Sequence, residues 1–524
     1  MYSADASAIL KLEICPFFGY KTTFVSSPTF TGSMTCFVTA GASLNSMGYG
    51  LIVSFSSILL PQLKQENSLI PIDDATGSWI ASIIGFSFSA GAFILPSLMN
   101  RYGRKVANLV SIMPMIIGWF CIVTATSVPA LFVARILQGI SAGMSSCLAP
   151  ILIGEYTSPK NRGAFLTTIS LAIASGVLVV HTAGVFLSWQ QTALVCAFIS
   201  FIDLLIVMHS PETPCWLADK GKYNESKRVF RWLRGDDEEE ELHIMIETSI
   251  IVRELRLNSM KPTSLFDQFK RSVNYVNATL RKKEFYKPVI LMFFLNLIGQ
   301  WSGPNVISSY TYDIFHQIVG HSVSVPVLII TVDVQRIISN TCAVYFIKKL
   351  KRRTMLFATV SLNIVMFLLI ALYVYAKAHN LLPFDHPAIG ILMIHLHMFS
   401  IATGTLPLPF IVSGEVYPLE YRGIAGGITV LYQSVNLFVT VKTVPYLFAS
   451  VGLWGAYVLY AGVVGLCLAM TGLLLPETKD RTLQDIEDEF RGRPLSPEEV
   501  KSIESLASLR LYSLDRRCST PALF

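Results

Sequence analysis

Long apolar runs recur along the chain, and they constrain its fold more than any other feature. Runs such as 78–99, 106–125 and 354–376 are each as long as the roughly 20 residues that a helix needs to cross a bilayer. About twelve such runs occur. Only 15% of the residues are charged, whereas soluble domains carry about a quarter. The sequence therefore predicts an all-α membrane protein with twelve transmembrane helices.

The apolar runs form two sets of six, separated by a polar stretch. The first set lies within 34–210 and the second within 287–475. Residues 211–286 between them contain an acidic run and many Lys and Arg, which favours a helical cytoplasmic linker. Residues 1–33 and the polar tail 476–524 flank the spans. We expect two six-helix bundles joined by this linker, with a cytoplasmic segment at each end.

Positive charge divides the predicted loops into two classes. One class contains Arg101, Arg104, Lys105, Lys160, Arg162, Lys348, Lys349, Lys351, Arg352, Arg353 and Arg422, and the opposite class contains only Lys64 and Lys377. Cytoplasmic loops carry the excess of Lys and Arg. We therefore expect a multi-pass protein with both termini in the cytoplasm. The plasma membrane is its expected location.

Two short motifs occur once in each half of the chain. Each half has a Glu followed seven residues later by Arg-Gly, and a Pro-Glu-Thr triplet after its sixth helix. These are Glu155 with Arg162, Glu415 with Arg422, and the triplets 211–213 and 476–478. Internal repeats of this kind predict two pseudo-symmetric bundles with a binding site between them near the bilayer midplane.

These motifs carry a resemblance to a known family. Together with NRYGRK (100–105), the segment Arg135 to Gly139, PETPCWL (211–217), SGPN (302–305), LPLPF (406–410) and PETKDRTL (476–483), they resemble the sugar-porter branch of the major facilitator superfamily. LLPQL (59–63), SWIAS (78–82) and Lys442 further resemble the insect trehalose-transporter-like group. The resemblance implies the major facilitator fold and transport of a small sugar.

The resemblance also implies a gate of ion pairs at the cytoplasmic face. Guanidinium groups bind carboxylates in a bidentate manner, and such a cluster would hold the two halves together there until it breaks for inward opening. The alternative is that the basic residues only set topology. In the second half, lysines in the loop 348–353 replace an acid and a Gly, which predicts a weaker or rearranged latch. The gate residues are Arg101, Arg104, Glu155, Arg162, Glu212, Arg352, Arg353, Glu415, Arg422 and Glu477.

A sugar site needs amides and hydroxyls, because each sugar hydroxyl that leaves water must be matched. By resemblance, the substrate-binding candidates are Gln300, Asn305, Ser309, Tyr310, Ser170, Phe410, Gln433 and Arg336. Gln300 and Asn305 keep the family's amides, whereas Ser170 and Gly299 replace its Gln and Phe410 replaces its Trp. Gly303, Pro304, Pro407 and Pro409 interrupt the spans nearby, and such breaks are tolerated beside a cavity. An ordinary packing kink is the alternative.

Ionisable residues inside the predicted spans are costly and are therefore functional candidates. They are Asp203, Asp333, Arg336, His395, His397 and Lys442. Asp333 and Arg336 are three residues apart and share a helix face. Arg336 either reaches the cavity, where it would favour an anionic or more polar substrate, or forms a structural pair with Asp333. His395 and His397 diverge on a helix, so no metal site is expected.

Energy coupling can also be considered from the sequence. Proton-linked sugar porters commonly carry an acid in the first span, at a position that matches Gly50 or, in a shifted register, Ser56. Residues 34–60 contain no Asp or Glu. This favours facilitated diffusion, with Asp203 or Asp333 as the alternative proton site.

The sequence thus predicts a uniporter for a small sugar such as glucose or trehalose, working by alternating access. Two alternatives stay open. The altered family positions Ser170, Gly299 and Phe410 suit a transporter-like sensor with little flux, and Arg336 suits a carrier of another small polar or anionic solute. No enzymatic activity, cofactor, metal, nucleic acid or obligate protein partner is expected. The partners are the sugar and the lipid bilayer.

Overall fold

A computed structural model describes residues 31–65, 67–235, 238–259, 279–320, 323–382, 386–417, 422–479, 481 and 483–493. This part of the chain is helical, and it contains no strand. The helices are α1 (Thr31–Leu63), α2 (Asp74–Tyr102), α3 (Arg104–Val123), α4 (Val128–Tyr156), α5 (Pro159–Phe186), α6 (Trp189–His209), α7 (Pro214–Asp219), α8 (Tyr223–Arg234), α9 (Glu239–Ser259), α10 (Lys283–Trp301), α11 (Pro304–Val319), α12 (Val325–Lys349), α13 (Arg352–Ala378), α14 (Pro387–Ser400), α15 (Pro407–Val416), α16 (Arg422–Leu474) and α17 (Leu483–Arg491).

The helix lengths account for twelve membrane crossings. Eleven helical segments of the described chain are long and apolar enough to span a bilayer. One of them, Ile424–Leu474, has 51 residues, which at 1.5 Å per residue is about 76 Å against a hydrocarbon core of about 30 Å. Helix α16 breaks at Gly452, where φ is 71° and ψ is 174°. It therefore supplies two crossings, and the predicted all-α fold is confirmed.

Two hydrophobic cores organise these helices into two bundles. Helices α1–α6 pack around a core that includes Phe55, Trp119 and Leu148. Helices α10–α16 pack around a second core that includes Phe315 and Phe367. On the outside of both bundles large apolar side chains are exposed, as expected of a surface that meets lipid rather than water.

The linker helices α7 and α8 lie against one end of the first bundle, and α9 packs on them. The hydroxyl of Thr35, near the start of α1, donates to the carbonyl of Leu233 in α8 over 2.8 Å. Arg234 donates to the carbonyl of Thr157, which caps α4, over 2.7 Å. We call this end of the molecule the linker face and the opposite end the far face. Residues 1–30, 260–278 and 494–524, which include most of the predicted terminal segments, lie outside the described residues.

Two crossings of the second bundle are interrupted, as the Gly and Pro residues predict. Helices α10 and α11 form one crossing that breaks at Gly303, a left-handed residue with φ 100°. Helices α14 and α15 form another, joined by a π-helical turn over Ile401–Thr405. Pro407 and Pro409 follow this turn and lack the N–H groups that a regular helix would use. The backbone is thus irregular at two neighbouring places inside the membrane-spanning bundle.

Candidate substrate site and gate

Two buried amides lie on either side of the α10–α11 break. Gln300 is next to the last residue of α10, and Asn305 lies in the first turn of α11. The side-chain Nδ2 of Asn305 donates to Oε1 of Gln300 over 2.6 Å. Their exposed fractions are 8% and 6%. The break thus brings together two amides that an unbroken helix would separate, and both can offer further donors and acceptors to a polyhydroxyl ligand.

The next turn of α11 reaches the boundary between the bundles. Ser309 lines a cavity there, with residues of α1, α2 and α16 on the other sides. Tyr310 instead packs within its own bundle, where its hydroxyl donates to the carbonyl of Val441 in α16 over 3.3 Å. Of these two predicted site residues, Ser309 therefore faces the opposite bundle and Tyr310 secures α11 to α16.

Arg336 of α12 lies beside the same turn. Its Nη1 donates to the hydroxyl of Ser308 over 3.4 Å, and its side chain is buried. Asp333, three residues earlier, is hydrogen-bonded to His181 of α5 over 2.5 Å. The acid that was a candidate partner for Arg336 is thus hydrogen-bonded to the other bundle. A lone His in an apolar span gives no signal for this contact, so the sequence did not identify His181.

Three further predicted site residues lie on other helices. Ser170 of α5 donates to its own helix, at the carbonyl of Thr167, over 3.0 Å. Phe410 of α15 is 43% exposed, and Gln433 of α16 is part-exposed. The hydrogen bond of Ser170 thus stays within α5, and a role in substrate binding for these three residues stays a prediction.

Trp301 is a residue of this region that the sequence did not single out. Its Nε1 donates to Oδ1 of Asn436 in α16 over 3.3 Å, and its ring meets Tyr460 edge to face. Sugar sites use an aromatic ring to cover the apolar face of the sugar. Its position directly after Gln300 is the sequence feature from which Trp301 could have been predicted as a site residue.

The gate residues of the first bundle form a compact cluster at the linker face. Nη2 of Arg104 lies 2.9 Å from Oε1 of Glu155, and its Nε donates to the same oxygen over 3.1 Å. Glu212 accepts the backbone N–H groups of Arg104 and Lys105, at 2.9 and 3.1 Å. These N–H groups begin α3 and have no partner within the helix. Glu212 therefore caps α3 from a distant part of the chain.

The second bundle repeats the same bonds. Nη2 of Arg352 lies 3.0 Å from Oε1 of Glu415. Glu477 accepts the backbone N–H groups of Arg352 and Arg353 at the start of α13, at 3.0 and 3.2 Å. The Glu415 side chain is 25% exposed, against 1% for Glu155. The arrangement is thus kept in this half despite the lysines of its loop, and the difference lies in exposure to solvent.

The backbone before each capped helix explains how the lysines are tolerated. Gly103 precedes α3 with φ 105°, and a Cβ there would lie 2.1 Å from Oε2 of Glu212. Lys351 holds the equivalent place before α13 with φ −66° and ψ 141°, an extended conformation open to any residue. The first half therefore requires glycine at this position, whereas the second does not.

The remaining gate residues take different places. Arg353 donates to the carbonyls of Leu475 and Gly472. The guanidinium of Arg101 lies 5.3 Å from the centre of the Tyr102 ring. Arg162 is part-buried; burial lowers its pKa, and the charge of Arg234 lowers it further. The side chain of Arg422 lies outside the described residues. The ion pairs of Arg104 and Arg352 each lie within one bundle, so a latch between the bundles stays a prediction.

The two capping carboxylates differ in their acidity. Burial raises the pKa of Glu212 to about 7, although three backbone N–H groups oppose the shift. Burial also raises the pKa of Glu477, but the backbone N–H groups of Lys479, Arg352, Arg353 and Thr478 outweigh it and leave the pKa below its ordinary value. Equivalent positions in the two bundles thus hold carboxyl groups with opposite pKa shifts.

In the part of the chain that the structure describes, a buried arginine of the first bundle hydrogen-bonds to no carboxylate. Arg135 of α4 is fully buried and donates to the carbonyl of Ile52, to Oε1 of Gln138 and to the hydroxyl of Ser56. Ser56 is one of the two first-span positions considered for the acid of proton-linked porters. Arg135 therefore contacts the candidate position of the shifted register, and the choice between the two registers stays a prediction.

Comparison with known proteins agrees with this architecture. The family described as "Sugar (and other) transporter" matches residues 15–490. The facilitated trehalose transporter Tret1 of Culex quinquefasciatus is 28% identical over 482 residues, which cover 90% of this chain and 88% of the relative. The facilitated glucose transporter member 8 of solute carrier family 2 from Mus musculus is 26% identical, covering 86% and 93%.

Solved structures of the same fold are also similar. The inward-open xylose transporter XylE of E. coli superposes with a TM-score of 0.68 at 17% identity, covering 87% of this chain and 99% of that one. XylE bound to 6-bromo-6-deoxy-D-glucose gives 0.67 at 17% identity, covering 88% and 100%. The helical fold, the family match and these relatives lead to one conclusion: the chain is a multi-pass membrane protein of the sugar-porter family of the major facilitator superfamily.

Proposed function

We propose that this protein is a facilitative carrier that moves a small sugar, such as trehalose or glucose, by alternating access between its two bundles. The observation that carries the proposal is the amide pair of Gln300 and Asn305. It is held at a helix break inside the membrane-spanning part, with Ser309 on the next turn facing the opposite bundle. Half-broken helices that bring polar groups to a bundle interface are a recurrent way to build a transporter site.

The relatives support a sugar as the substrate class. They include facilitated transporters of trehalose and of glucose, at 28% and 26% identity over most of the chain. The amides can accept and donate several hydrogen bonds each, and Trp301 adds an aromatic surface beside them. This combination suits an uncharged polyhydroxyl solute.

The surroundings of Arg135 support uniport rather than proton-driven transport. Its hydrogen-bond partners are a serine, a glutamine and a backbone carbonyl. Among the described residues this guanidinium hydrogen-bonds to no acid, so it has no titrating partner there whose proton could drive the cycle. A substrate gradient is then sufficient, and we propose that it is the driving force.

The motif pattern supports an orientation with the linker face in the cytoplasm. The basic loops lie at that face, as the positive-inside rule requires, and the capped clusters of Arg104 and Arg352 lie there too. We propose that both termini are cytoplasmic and that the protein works in the plasma membrane.

Arg336 favours a second candidate function, the transport of a small anion. Its guanidinium is buried beside the proposed site, and within the described residues its Nε has no hydrogen-bond partner. An organic anion could fill that place. The sugar carrier remains the first proposal because the amide pair and the relatives both support it.

Uptake in a cell line that lacks hexose transport tests the proposal. We expect saturable uptake of labelled glucose or trehalose that excess unlabelled sugar suppresses. Asn305→Leu should reduce it about tenfold or more, because a buried hydrogen-bonding group that loses its partner costs about 1–3 kcal/mol. Asn296→Leu is the matched control, since Asn296 is buried on the same crossing and its Nδ2 donates to the carbonyl of Met292 on its own helix.

Three results would speak against the sugar carrier. Sugar binding without flux would indicate a sensor. Flux of an organic anion that Arg336→Gln abolishes, without sugar flux, would indicate the anion carrier. Equal losses in Asn305→Leu and Asn296→Leu would remove the role assigned to the amide pair.

A further inference from the structure

Polar contacts join the two bundles in the half of the molecule nearer the far face. Lys442 of α16 donates to the hydroxyl of Ser78 in α2 over 2.6 Å, and its Nζ lies 4.2 Å from the centre of the Trp79 ring. Nδ1 of His181 in α5 lies 2.5 Å from Oδ2 of Asp333 in α12. Leu60, near the far end of α1, belongs to the core of the opposite bundle. These contacts hold the far face closed.

The His181–Asp333 bond differs from the Lys442–Ser78 bond in its response to pH. Both side chains of the pair are almost completely buried, at 2% and 4% exposed. Imidazole is the side chain whose ordinary pKa lies near neutral pH. A lysine ammonium in water keeps its proton until about pH 10. The two contacts therefore join the same bundles, but only the first includes an imidazole.

Charged and titratable groups on every helix that packs against α5 define the setting of His181. Helix α12 contributes Asp333 and Arg336, and α1 contributes Tyr49, which interacts electrostatically with Arg336. Helix α4 contributes Arg135, already bonded to Ser56 and Gln138. Helix α6 contributes Asp203, which lies against Gly41 of α1. Asp333 thus has a cation on its own helix as well as the imidazole of the other bundle.

The closed arrangement suits a neutral imidazole. In that form Nδ1–H donates to Asp333 and Nε2 needs no partner. Within the described residues, Nε2 of His181 has no hydrogen-bond partner. A second proton would therefore create a buried N–H without an acceptor. It would also place a second positive charge near Asp333, in addition to that of Arg336, and both changes are costly away from water.

We propose that His181 and Asp333 form a proton-sensitive latch between the bundles, which holds the far face closed while His181 is neutral and releases it when His181 takes up a proton. The inference rests on the alternating-access cycle proposed above. When the far face opens, His181 meets water and can be protonated, so acid favours the open state. The proton enters and leaves on the far side, and the latch regulates the cycle without making transport proton-driven.

The expected size of the effect follows from the titration of an imidazole in water. An imidazole in water has an ordinary pKa of about 6.5, so for a latch whose proton binds only in the open state, lowering the pH from 7.5 to 5.5 raises the open-to-closed ratio about tenfold.

The accessibility of a buried cysteine at position 60 measures this ratio. Leu60→Cys is introduced into the full-length protein in lipid nanodiscs without sugar, and a polar maleimide reacts with it only when the bundles part at the far face. The product is quantified by mass spectrometry on the peptide that contains residue 60, so the natural cysteines do not interfere. We expect labelling about ten times faster at pH 5.5 than at pH 7.5, after correction for thiolate content against a short peptide.

Two variants in the Leu60→Cys background separate a latch from a general effect of pH. His181→Gln keeps a donor toward Asp333 but cannot take up a proton, and it should label at equal corrected rates at both pH values. Lys442→Gln removes the other contact and should label faster at both, with the tenfold ratio intact. His181→Asn replaces His181→Gln if the latter is not monodisperse. A pH ratio that survives in the His181 variants, or a parent without any pH dependence, would overturn the proposal.

Sugar uptake by the same parent protein keeps this inference separate from the proposed function. Uptake together with pH-independent labelling would overturn only the latch. A pH ratio that needs His181, together with no uptake of any sugar, would support the latch and contradict the sugar carrier.

Discussion

At the scale of single residues, Glu212 and Glu477 show how one motif can acquire two chemistries. Both accept the backbone N–H groups at the start of a helix that follows a basic loop. Glu212 lies in a more enclosed place, where burial raises its pKa to about 7. At Glu477 the backbone donors prevail and its pKa is lowered. The motif predicts the position of each carboxyl group, whereas the surroundings of the group determine its pKa and so its charge at neutral pH.

Glu212→Gln should change the pH dependence of stability. The pKa of Glu212 in the folded state lies above its ordinary value, so the folded state binds more protons than the unfolded state does. The protonated carboxyl group therefore stabilises the fold, and this stabilisation is lost as the pH rises through about 7. Between pH 6 and pH 8 this amounts to about 1 kcal/mol. Thermal unfolding of purified protein at both pH values should show this decline in the parent and its absence in Glu212→Gln.

Glu477→Gln is the matched control for that measurement. The pKa of Glu477 is lowered, so its stabilising charge is complete above pH 6 and would be lost only in stronger acid. The difference from the parent should therefore be the same at pH 6 and pH 8. A difference between Glu477→Gln and the parent that changes between these pH values, or a Glu212→Gln profile that declines like the parent, would contradict the assignment.

The amide pair gives a second prediction at this scale. Gln300→Ala and Asn305→Ala should each raise the apparent KM for sugar, by about 5- to 100-fold. Because the two side chains bond each other, the double variant should lose less than the product of the two effects. Concentration-dependent uptake measures all three, and strictly multiplicative losses would show that the amides act independently.

Residue-level contacts were only partly predictable from the sequence. Gln300, Asn305 and the capping carboxylates could be named because fixed motifs contain them. The contact of His181 with Asp333 could not be predicted, because the two residues are 152 positions apart in the sequence and lie in different bundles. Trp301 and Arg135 were likewise unassigned, since their partners depend on how the helices pack.

At the scale of secondary-structure elements, the start of α3 depends on a glycine and the start of α13 does not. Gly103→Ala should lower the unfolding free energy by about 1–3 kcal/mol, because the residue has φ 105° and a Cβ would meet Glu212 at 2.1 Å. Lys351→Ala, at the equivalent place with an extended backbone, should change it by less than about 0.5 kcal/mol. Thermal unfolding of the two variants checks this, and equal destabilisation would refute the local explanation.

The elements themselves were largely predictable, and their interruptions only in part. Twelve apolar runs gave the number of crossings, and Gly303 with Pro304 indicated the break between α10 and α11. The π-helical turn over Ile401–Thr405 was not predicted in form. Prolines indicate that a regular helix is interrupted. The form of the interruption could not be predicted, because it depends on a tertiary contact, the packing of Gly404 against Thr359.

At the scale of the whole molecule, the bundles meet most closely where α2 crosses α16. A Cβ on Gly85 would lie 2.5 Å from the backbone nitrogen of Phe438, and the hydroxyl of Ser434 donates to the carbonyl of Gly85. Gly85→Val should therefore push the bundles apart, open the far face and reduce transport at least tenfold, with each bundle still folded.

Gly427→Val is the control for this prediction, because a Cβ added to Gly427 of α16 would have no neighbouring atom within 4 Å. Uptake and labelling of position 60 measure both, and equal effects would contradict the close crossing.

Carriage of sugar down its gradient, without a proton gradient, is the central claim for the whole molecule. Counterflow in proteoliposomes tests it most directly: vesicles loaded with unlabelled trehalose or glucose are diluted into a trace of labelled sugar at equal pH on both sides. We predict transient accumulation of label that Asn305→Leu reduces and Asn296→Leu preserves. No accumulation with any sugar tested would contradict the account, and so would uptake into empty vesicles that an imposed pH gradient drives above the external sugar concentration.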